Sequence, residues 1–154
     1  MKKVLFVCLG NICRSPMAQG VLEKALLDAG LERDIEVDSA ATHAYHTGNP
    51  PDSRAIATAA AHGIDISQQH ARPITEADFA AFDRVVAMDA ANLETLTSRC
   101  PAQFKTALAM FSDYIAGREG TPVPDPYYGD SRDFELALRL LDSGMAKLIE
   151  DLSP

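Results

Sequence analysis

The stretch Cys8-Leu9-Gly10-Asn11-Ile12-Cys13-Arg14-Ser15 sets a thiol six residues ahead of a guanidinium, with a glycine and an asparagine between them. A thiolate is a strong nucleophile, and a guanidinium is a planar fork of donors matched to two oxygens of a phosphate. Gly10 is free to adopt positive φ, and Asn11 tolerates the left-handed region better than most residue types. The loop is expected to curl so that several backbone N–H groups converge on one point, where an anion would sit. Ser15-Pro16 reads as an N-cap with proline at the first helical position, so a helix N-terminus adds its free N–H groups and positive dipole end. In that field the Cys8 thiolate is favoured over the thiol, and the Ser15 hydroxyl can donate to the sulfur. Such a sulfur is set up to attack phosphorus and form a phosphocysteine, while the loop and Arg14 hold the equatorial oxygens. Cys-x5-Arg alone is a short pattern that a buried cysteine and a surface arginine would also produce. The apolar run before it and the helix opening after it set this instance apart. The Gly-Lys-Ser/Thr of a nucleotide-binding loop is missing.

A phosphate ester leaves as an alkoxide or phenoxide, and a proton donor lowers that barrier. Two aspartates compete for the role. Asp89 follows an apolar run and suits the N-cap of the next helix; Asp125 lies in TPVPDPYYGD, where Asp-Pro by itself reads as a turn. Tyr127 and Tyr128 beside Asp125 favour a lining role for that loop. With Leu9 and Ile12 they could wall a slot for a flat aromatic ring, although each is also a candidate for plain packing.

The elements that must position these groups are legible as alternation. Val4–Val7, Ile35–Val37, Arg84–Met88 and Thr106–Met110 read as strands. Helices are expected to begin at Pro16, near Ser53, at Glu76 and after Asp89, with a longer one from about Arg132 to Leu152. Apolar residues at Ala18, Val21, Leu22, Ala25 and Ala29 form a helical stripe that Gly30 closes. Asp52 and Gly63 bracket the second helix, and Thr75 with Asp78 resembles a capping box. Strands alternating with helices imply a mostly parallel sheet covered on both faces, with ligands bound beyond the carboxyl ends of the strands. Cys8, Asp89 and the segment after Met110 all leave from that edge.

The 154 residues suit one domain over 1–154, and 47% hydrophobic with 23% charged residues is ordinary for a soluble globular chain. No apolar run is long enough to span a bilayer, and Lys2-Lys3 before a run that ends at Cys8 makes a poor export signal. The net charge of −8 and the lack of a basic stripe argue against nucleic acid, so any anion site must be built locally. Three cysteines without paired spacing fit a reduced, cytoplasmic protein better than a disulfide framework. His43, His46, His62 and His70 show no metal-ligand spacing; no metal and no cofactor are expected, and a monomer is the default.

The stretch VLFVCLGNICRSPMAQ, with DSAAT, FDRVVAMDAANL and VPDPYYGD further on, resembles the low-molecular-weight protein tyrosine phosphatases over most of the chain. The resemblance implies a flavodoxin-like or Rossmann-like fold: a four-stranded parallel twisted sheet, helices on both faces, and a phosphate loop between the first strand and first helix. It implies metal-independent hydrolysis of phosphotyrosine with Cys8 as nucleophile, Arg14 holding the phosphate, and Asp125, in the family's Asp-Pro-Tyr/Phe segment, as general acid and base. It implies that Asn11 holds the loop's curl through side-chain hydrogen bonds and that Tyr45 is a further rim aromatic. Ile12 favours phosphotyrosine over phosphoarginine, and Cys13 is a possible reversible disulfide partner of Cys8. Cys100 looks structural. A phosphotyrosine protein is the implied partner, with a bacterial tyrosine kinase an example.

Two other readings share the cysteine loop. An arsenate reductase relays oxidation through further cysteines, and here only Cys13 and Cys100 remain. A phosphocysteine carrier domain needs neither Arg14 nor a general acid. A binding module without activity would not need all three groups.

Overall fold

The computed structural model describes residues 1–153; Pro154, the last residue of the expected domain, lies outside the described residues. Four parallel strands form one sheet in the order β2-β1-β3-β4: β1 Lys2–Cys8, β2 Ile35–Ala41, β3 Arg84–Ala87 and β4 Leu108–Met110. Five helices connect and close it: α1 Arg14–Ala29, α2 Ser53–Ala61, α3 Glu76–Ala81, α4 Ala90–Arg99 and α5 Ser131–Leu152. This is a flavodoxin-like α/β arrangement, whose sheet order runs outward from β1 to β2 and then returns to the other side of β1.

β1 is the central strand, and Val4 to Val7 are fully buried on both faces. Successive side chains of a strand point to opposite faces, so the run divides between two cores. Val4, Phe6 and Cys8 pack with Met17, Leu22, Phe134 and Leu141 from α1 and α5. Leu5 and Val7 pack with Phe79, Phe82 and Leu96, on the side that carries α3 and α4. The expected coverage of both faces is thus present, with α1, α2 and α5 on one side.

Element ends differ from expectation in instructive ways. β2 runs on to Ala41 because register with β1 continues as far as Cys8↔Ala41. At the other edge, Thr106 and Ala107 belong to a 3-10 segment, Ala102–Ala107, and only Leu108–Met110 pair with β3. Pro101 opens that segment and accepts from Phe104 N–H, and Leu108 N–H closes it on the Lys105 carbonyl, so the backbone turns before it extends. The capping box at Thr75 and Asp78 is formed, with an aspartate sufficing at the third position.

The reversal of strand order puts the carboxyl ends of β1 and β3 side by side, the crevice where such sheets bind ligands. Cys8 ends β1, and Met88 and Asp89 follow β3 directly. Met88 N–H donates to the Val7 carbonyl at 3.2 Å, and the Met88 carbonyl accepts from Val123 N–H at 3.0 Å. That second bond draws the segment leading to Asp125 over the same edge.

Gly144 of α5 faces the core. A Cβ there would stand 2.8 Å from two ring carbons of fully buried Phe111 and 3.2 Å from Ile115. Overpacking of this kind costs about 1–3 kcal/mol, more than the ~1 kcal/mol of helix propensity that alanine would add. Gly144→Ala is therefore expected to lower stability in urea unfolding, and a rise would contradict the packing described.

Candidate active site

The loop from Leu9 to Cys13 joins β1 to α1. Its carbonyls are occupied from outside: Cys8 accepts from Thr42 N–H at 3.0 Å, Leu9 from His43 N–H at 3.1 Å, and Ile12 from Asp52 N–H at 2.8 Å. By contrast, the backbone N–H groups from Leu9 to Ser15 donate to no protein acceptor among the described residues. Buried backbone donors are normally paired, so a run of free ones beside a helix N-terminus is a site for an anion.

The curl depends on Asn11, whose φ of 57° is the one positive value at a non-glycine position among the described residues. Its Oδ1 accepts from Arg72 N–H at 3.1 Å. Its Nδ2 therefore faces two hydroxyls, Ser15 Oγ at 2.7 Å and Ser39 Oγ at 2.9 Å. Each hydroxyl that accepts from Asn11 is left to direct its own hydrogen elsewhere. Ser39 donates to Gln19 Oε1 at 2.8 Å, and Ser15 is 3.0 Å from Cys8 Sγ, placed to donate to the sulfur. Asn11, Ser15 and Ser39 are all buried, where such chains are strongest.

Gly10 is not at positive φ, contrary to expectation; its role is close approach. A Cβ on Gly10 would come within 2.9 Å of the His46 ring. Ser15 is likewise not the N-cap: α1 begins at Arg14, Cys13 occupies the cap position, and no side chain caps the helix. The physical reason is the one above, since the hydroxyl is engaged with Cys8 and Asn11 and the helix N–H groups stay free. Pro16, at the third helical position, still falls where no intrahelical donor is needed.

Arg14 is buried and threaded between carboxylates. Its Nη1 donates to Asp89 Oδ2 at 2.7 Å and to the Val123 carbonyl at 3.0 Å, while Nη2 lies 3.6 Å from Asp125 Oδ2. Asp89 holds Arg14 with one oxygen and caps α4 with the other, accepting from Asn92 N–H at 2.8 Å. Its capping is legible in the sequence; its grip on Arg14 is not, although two strand ends meeting at one edge would have suggested it. Asp125 Oδ1 accepts from Tyr127 N–H at 3.1 Å, which fixes a tight turn, and its side chain is 40% exposed, open to a ligand.

Cys8, Cys13 and Arg14 stand at the base of a cavity of about 230 Å³, with Asp125 also lining it. Leu9, Ile12, Tyr45, Tyr127 and Tyr128 form its walls, and His46 joins them. Tyr127 and Tyr128 meet edge to face at 4.9 Å, and Tyr45 stacks on His43 at 5.2 Å. Of the site residues expected from the sequence, Cys8, Leu9, Gly10, Ile12, Cys13, Arg14, Tyr45, Asp125, Tyr127 and Tyr128 line this cavity, whereas Asn11 and Ser15 are buried and do not line it. Cys13 is buried, and burial, with the charges of Cys8, Asp52 and Asp125 adding to it, pushes its thiol well above the usual range. It stays protonated beside the cradle. Cys100 is remote from this cavity, in the other core. Among the described residues no group of histidines, cysteines and acids could hold a metal ion.

The sequence points to no site role for Ser39, Arg72 or Arg54, and to Asp52 only as the cap of α2. Ser39 lies towards the end of β2 in the DSAAT stretch, in register with Phe6, and that pairing is the one signal that would have found it. Arg72 is braced by Asp38 at 3.0 Å and Asp78 at 3.0 Å, so the N–H that holds Asn11 is itself held.

A thiol and a guanidinium at a loop of free amides, on the crevice edge of a parallel sheet, make an oxyanion cradle beside a potential nucleophile. The model of the low molecular weight phosphotyrosine protein phosphatases matches residues 3–154, and the chain belongs to that family. It is 46% identical over 137 residues to the human low molecular weight phosphotyrosine protein phosphatase, covering 87% of this chain and 85% of that one. The protein tyrosine phosphatase of Entamoeba histolytica, solved with Hepes in its active site, superposes with a TM-score of 0.95 at 38% identity, covering 99% and 97% of the two chains. Wzb of Vibrio vulnificus, solved with benzylphosphonate, superposes at 0.85 with 28% identity, covering 98% and 99%.

Asn11→Ala would leave a left-handed residue without the side chain that stabilises it, a conformation that costs about 1–3 kcal/mol. It would also strand the Arg72 N–H. Asn11→Gly is expected to recover the conformational part alone, giving an intermediate thermal midpoint. Equal midpoints for the two variants would mean that the backbone angle carries no cost.

Proposed function

We propose that this chain hydrolyses phosphotyrosine in proteins by way of a phosphocysteine at Cys8. The observation that carries the assignment is the set of N–H groups from Leu9 to Ser15, free of acceptors among the described residues, beside the cavity that Cys8 and Arg14 line. Those donors and Arg14 would bind the three non-bridging phosphate oxygens and gain strength as charge shifts on to them in the transition state. Ser15 Oγ, 3.0 Å from Cys8 Sγ, is placed to donate a hydrogen bond to the attacking sulfur.

Asp125 is the proton donor in this reading. Of the two candidate aspartates it is the exposed one on the cavity, whereas Asp89 is engaged by both Arg14 and the α4 cap. It protonates the departing phenolic oxygen, then as a carboxylate takes a proton from the water that attacks phosphocysteine. Asp125 Oδ2 lies 3.6 Å from Arg14 Nη2, at an edge of the guanidinium that a phosphate can also take. Leu9, Ile12, Tyr45, Tyr127 and Tyr128 are walls suited to an aromatic ring. The benzylphosphonate of the Vibrio vulnificus protein is a ligand of the same shape, an aromatic ring carrying a phosphonate.

A tyrosine kinase of bacterial type is a fitting phosphoprotein partner, as the family resemblance implies. The protein is proposed to act as one domain, as a monomer, in the cytoplasm and without metal. Three free cysteines suit a reducing compartment, and no described helix is long and apolar enough to cross a membrane.

Matched assays without metal on phosphotyrosine, phosphoserine and phosphoarginine peptides test the assignment. Phosphate release is expected from phosphotyrosine alone, with none from Cys8→Ser, and Arg14→Ala should weaken both binding and turnover. Asp125→Ala should slow hydrolysis of a phosphate with a poor leaving group by about 10²–10⁴-fold while sparing binding. Full activity of that variant would remove Asp125 from the mechanism.

Cys13 is assigned a protective role. Peroxide converts the Cys8 thiolate to a sulfenic acid; the Cys13 sulfur then displaces water, and thiol reductant restores both groups. Cys13→Ser is expected to make peroxide inactivation irreversible by dithiothreitol. Full recovery in that variant would exclude the pairing.

A further inference from the structure

The start of α2 joins the phosphate loop to the loop that carries Asp125. Asp52 N–H donates to the Ile12 carbonyl at 2.8 Å, which ties the residue to the anion cradle. Its carboxylate caps α2 on Arg54 N–H at 2.9 Å and grips the Arg54 side chain along one edge, Nε at 3.0 Å and Nη2 at 2.9 Å. The hydrogen bonds from Arg54 hold the Asp52 carboxyl below the usual range, so the pair stays ionised.

The rest of the guanidinium faces the acid loop. Nη1 donates to the Gly129 carbonyl at 3.2 Å. The cation lies over the ring of Tyr127, 5.6 Å from its centroid, and over that of Phe134, 4.7 Å away in α5. Tyr127 in turn donates its N–H to Asp125. One arginine therefore connects the cradle, through Asp52, with the residues on the far side of Asp125. The near side is held separately at Val123, whose N–H donates to the Met88 carbonyl and whose carbonyl accepts from Arg14. Asp125 stands between two anchors, and Arg54 is the one that links the acid loop to Asp52.

We infer that Arg54, set by Asp52, is a positioning residue that fixes the proton donor and Tyr127 relative to the phosphate loop. It touches neither phosphorus nor the leaving oxygen. A planar fork suits this role, because one edge takes a carboxylate, a remaining N–H takes a carbonyl, and the face takes aromatic rings, which an ammonium cannot do together. Proton transfer demands tight placement, and a misplacement of about 1 Å can cost up to ~10²-fold. Loss of Arg54 should therefore appear chiefly where protonation of the leaving group matters.

The inference rests on Asp125 as proton donor, and the test separates the two. Turnover would be measured on a series of aryl phosphates, from phenyl phosphate to 2,4-dinitrophenyl phosphate, for wild type, Arg54→Ala, Arg54→Lys, Asp125→Ala and Arg54→Ala/Asp125→Ala. Circular dichroism and thermal midpoints verify folding. Arg54→Ala is expected to lose about tenfold on phenyl phosphate, part of what a general acid supplies, with less than about threefold on the dinitrophenyl ester. The double variant should match Asp125→Ala, because a residue acting through the acid has nothing left to position. If Asp125→Ala steepens the dependence on leaving group but Arg54→Ala slows all esters equally, or the two losses simply multiply, the positioning role is overturned and the acid assignment stands. If Asp125→Ala leaves the dependence unchanged, the acid assignment falls and this inference with it. Arg54→Lys keeps the charge and serves should Arg54→Ala not fold. Wild-type behaviour of that variant would show that charge, rather than positioning, is what the site needs, and would overturn the role.

Discussion

Everything at this site depends on a short backbone segment that keeps its donors unpaired. Leaving N–H groups free beside a buried strand is costly in the absence of an anion, and the chain would relieve it by closing an ordinary turn. Two features prevent that. The carbonyls of Cys8, Leu9 and Ile12 are engaged by Thr42, His43 and Asp52, so they are not available to the loop's own donors. Asn11 is held left-handed by three hydrogen bonds to residues from three other segments. The cradle is thus shaped by what surrounds it.

The charges follow the same logic. A chain of net charge −8 repels phosphate at long range, so attraction has to be concentrated at one point. Arg14 supplies it from a buried position, and burial of a guanidinium requires partners. Asp89 is such a partner at 2.7 Å, and it is itself fixed by capping α4. Asp125 stands further off at 3.6 Å and more exposed, which leaves one edge of the guanidinium for a ligand. One carboxylate orients the cation, and the other, more exposed, lines the cavity.

A second tier supports the first. Arg72 is braced by Asp38 and Asp78, and its backbone holds Asn11; Asp52 holds Ile12 through its backbone and Arg54 through its side chain. Burial alone would raise the Asp78 carboxyl, but hydrogen bonds from Arg72 and Thr75 bring it below the usual range, so the brace is ionised at neutral pH. Apart from Asp38 in β2, these residues lie in loops and helix starts, and loops ordinarily tolerate sequence variation. Here the backbone of Arg72 and of Asp52 is committed to the cradle.

By itself the sequence determined which chemistry was on offer. Cys8 and Arg14 were legible because thiol and guanidinium carry distinct reactivities, Asp125 was preferred to Asp89 through the family resemblance, and the strands and helices were legible because their apolar periods differ. The two buried faces of β1 were legible too, as an unbroken apolar run. Tertiary structure decided what local pattern cannot encode. Ser15 became a partner of Cys8 instead of a cap, Gly10 was required for the approach of His46 instead of for positive φ, and Thr106 turned before the strand began. Asp89, Ser39, Asp52 and Arg54 gained their roles only when separate strand ends and helix starts met at one edge. Hydrogen bonds between residues far apart in the chain have no signature in spacing, because the fold, and not the sequence interval, sets which donor meets which acceptor.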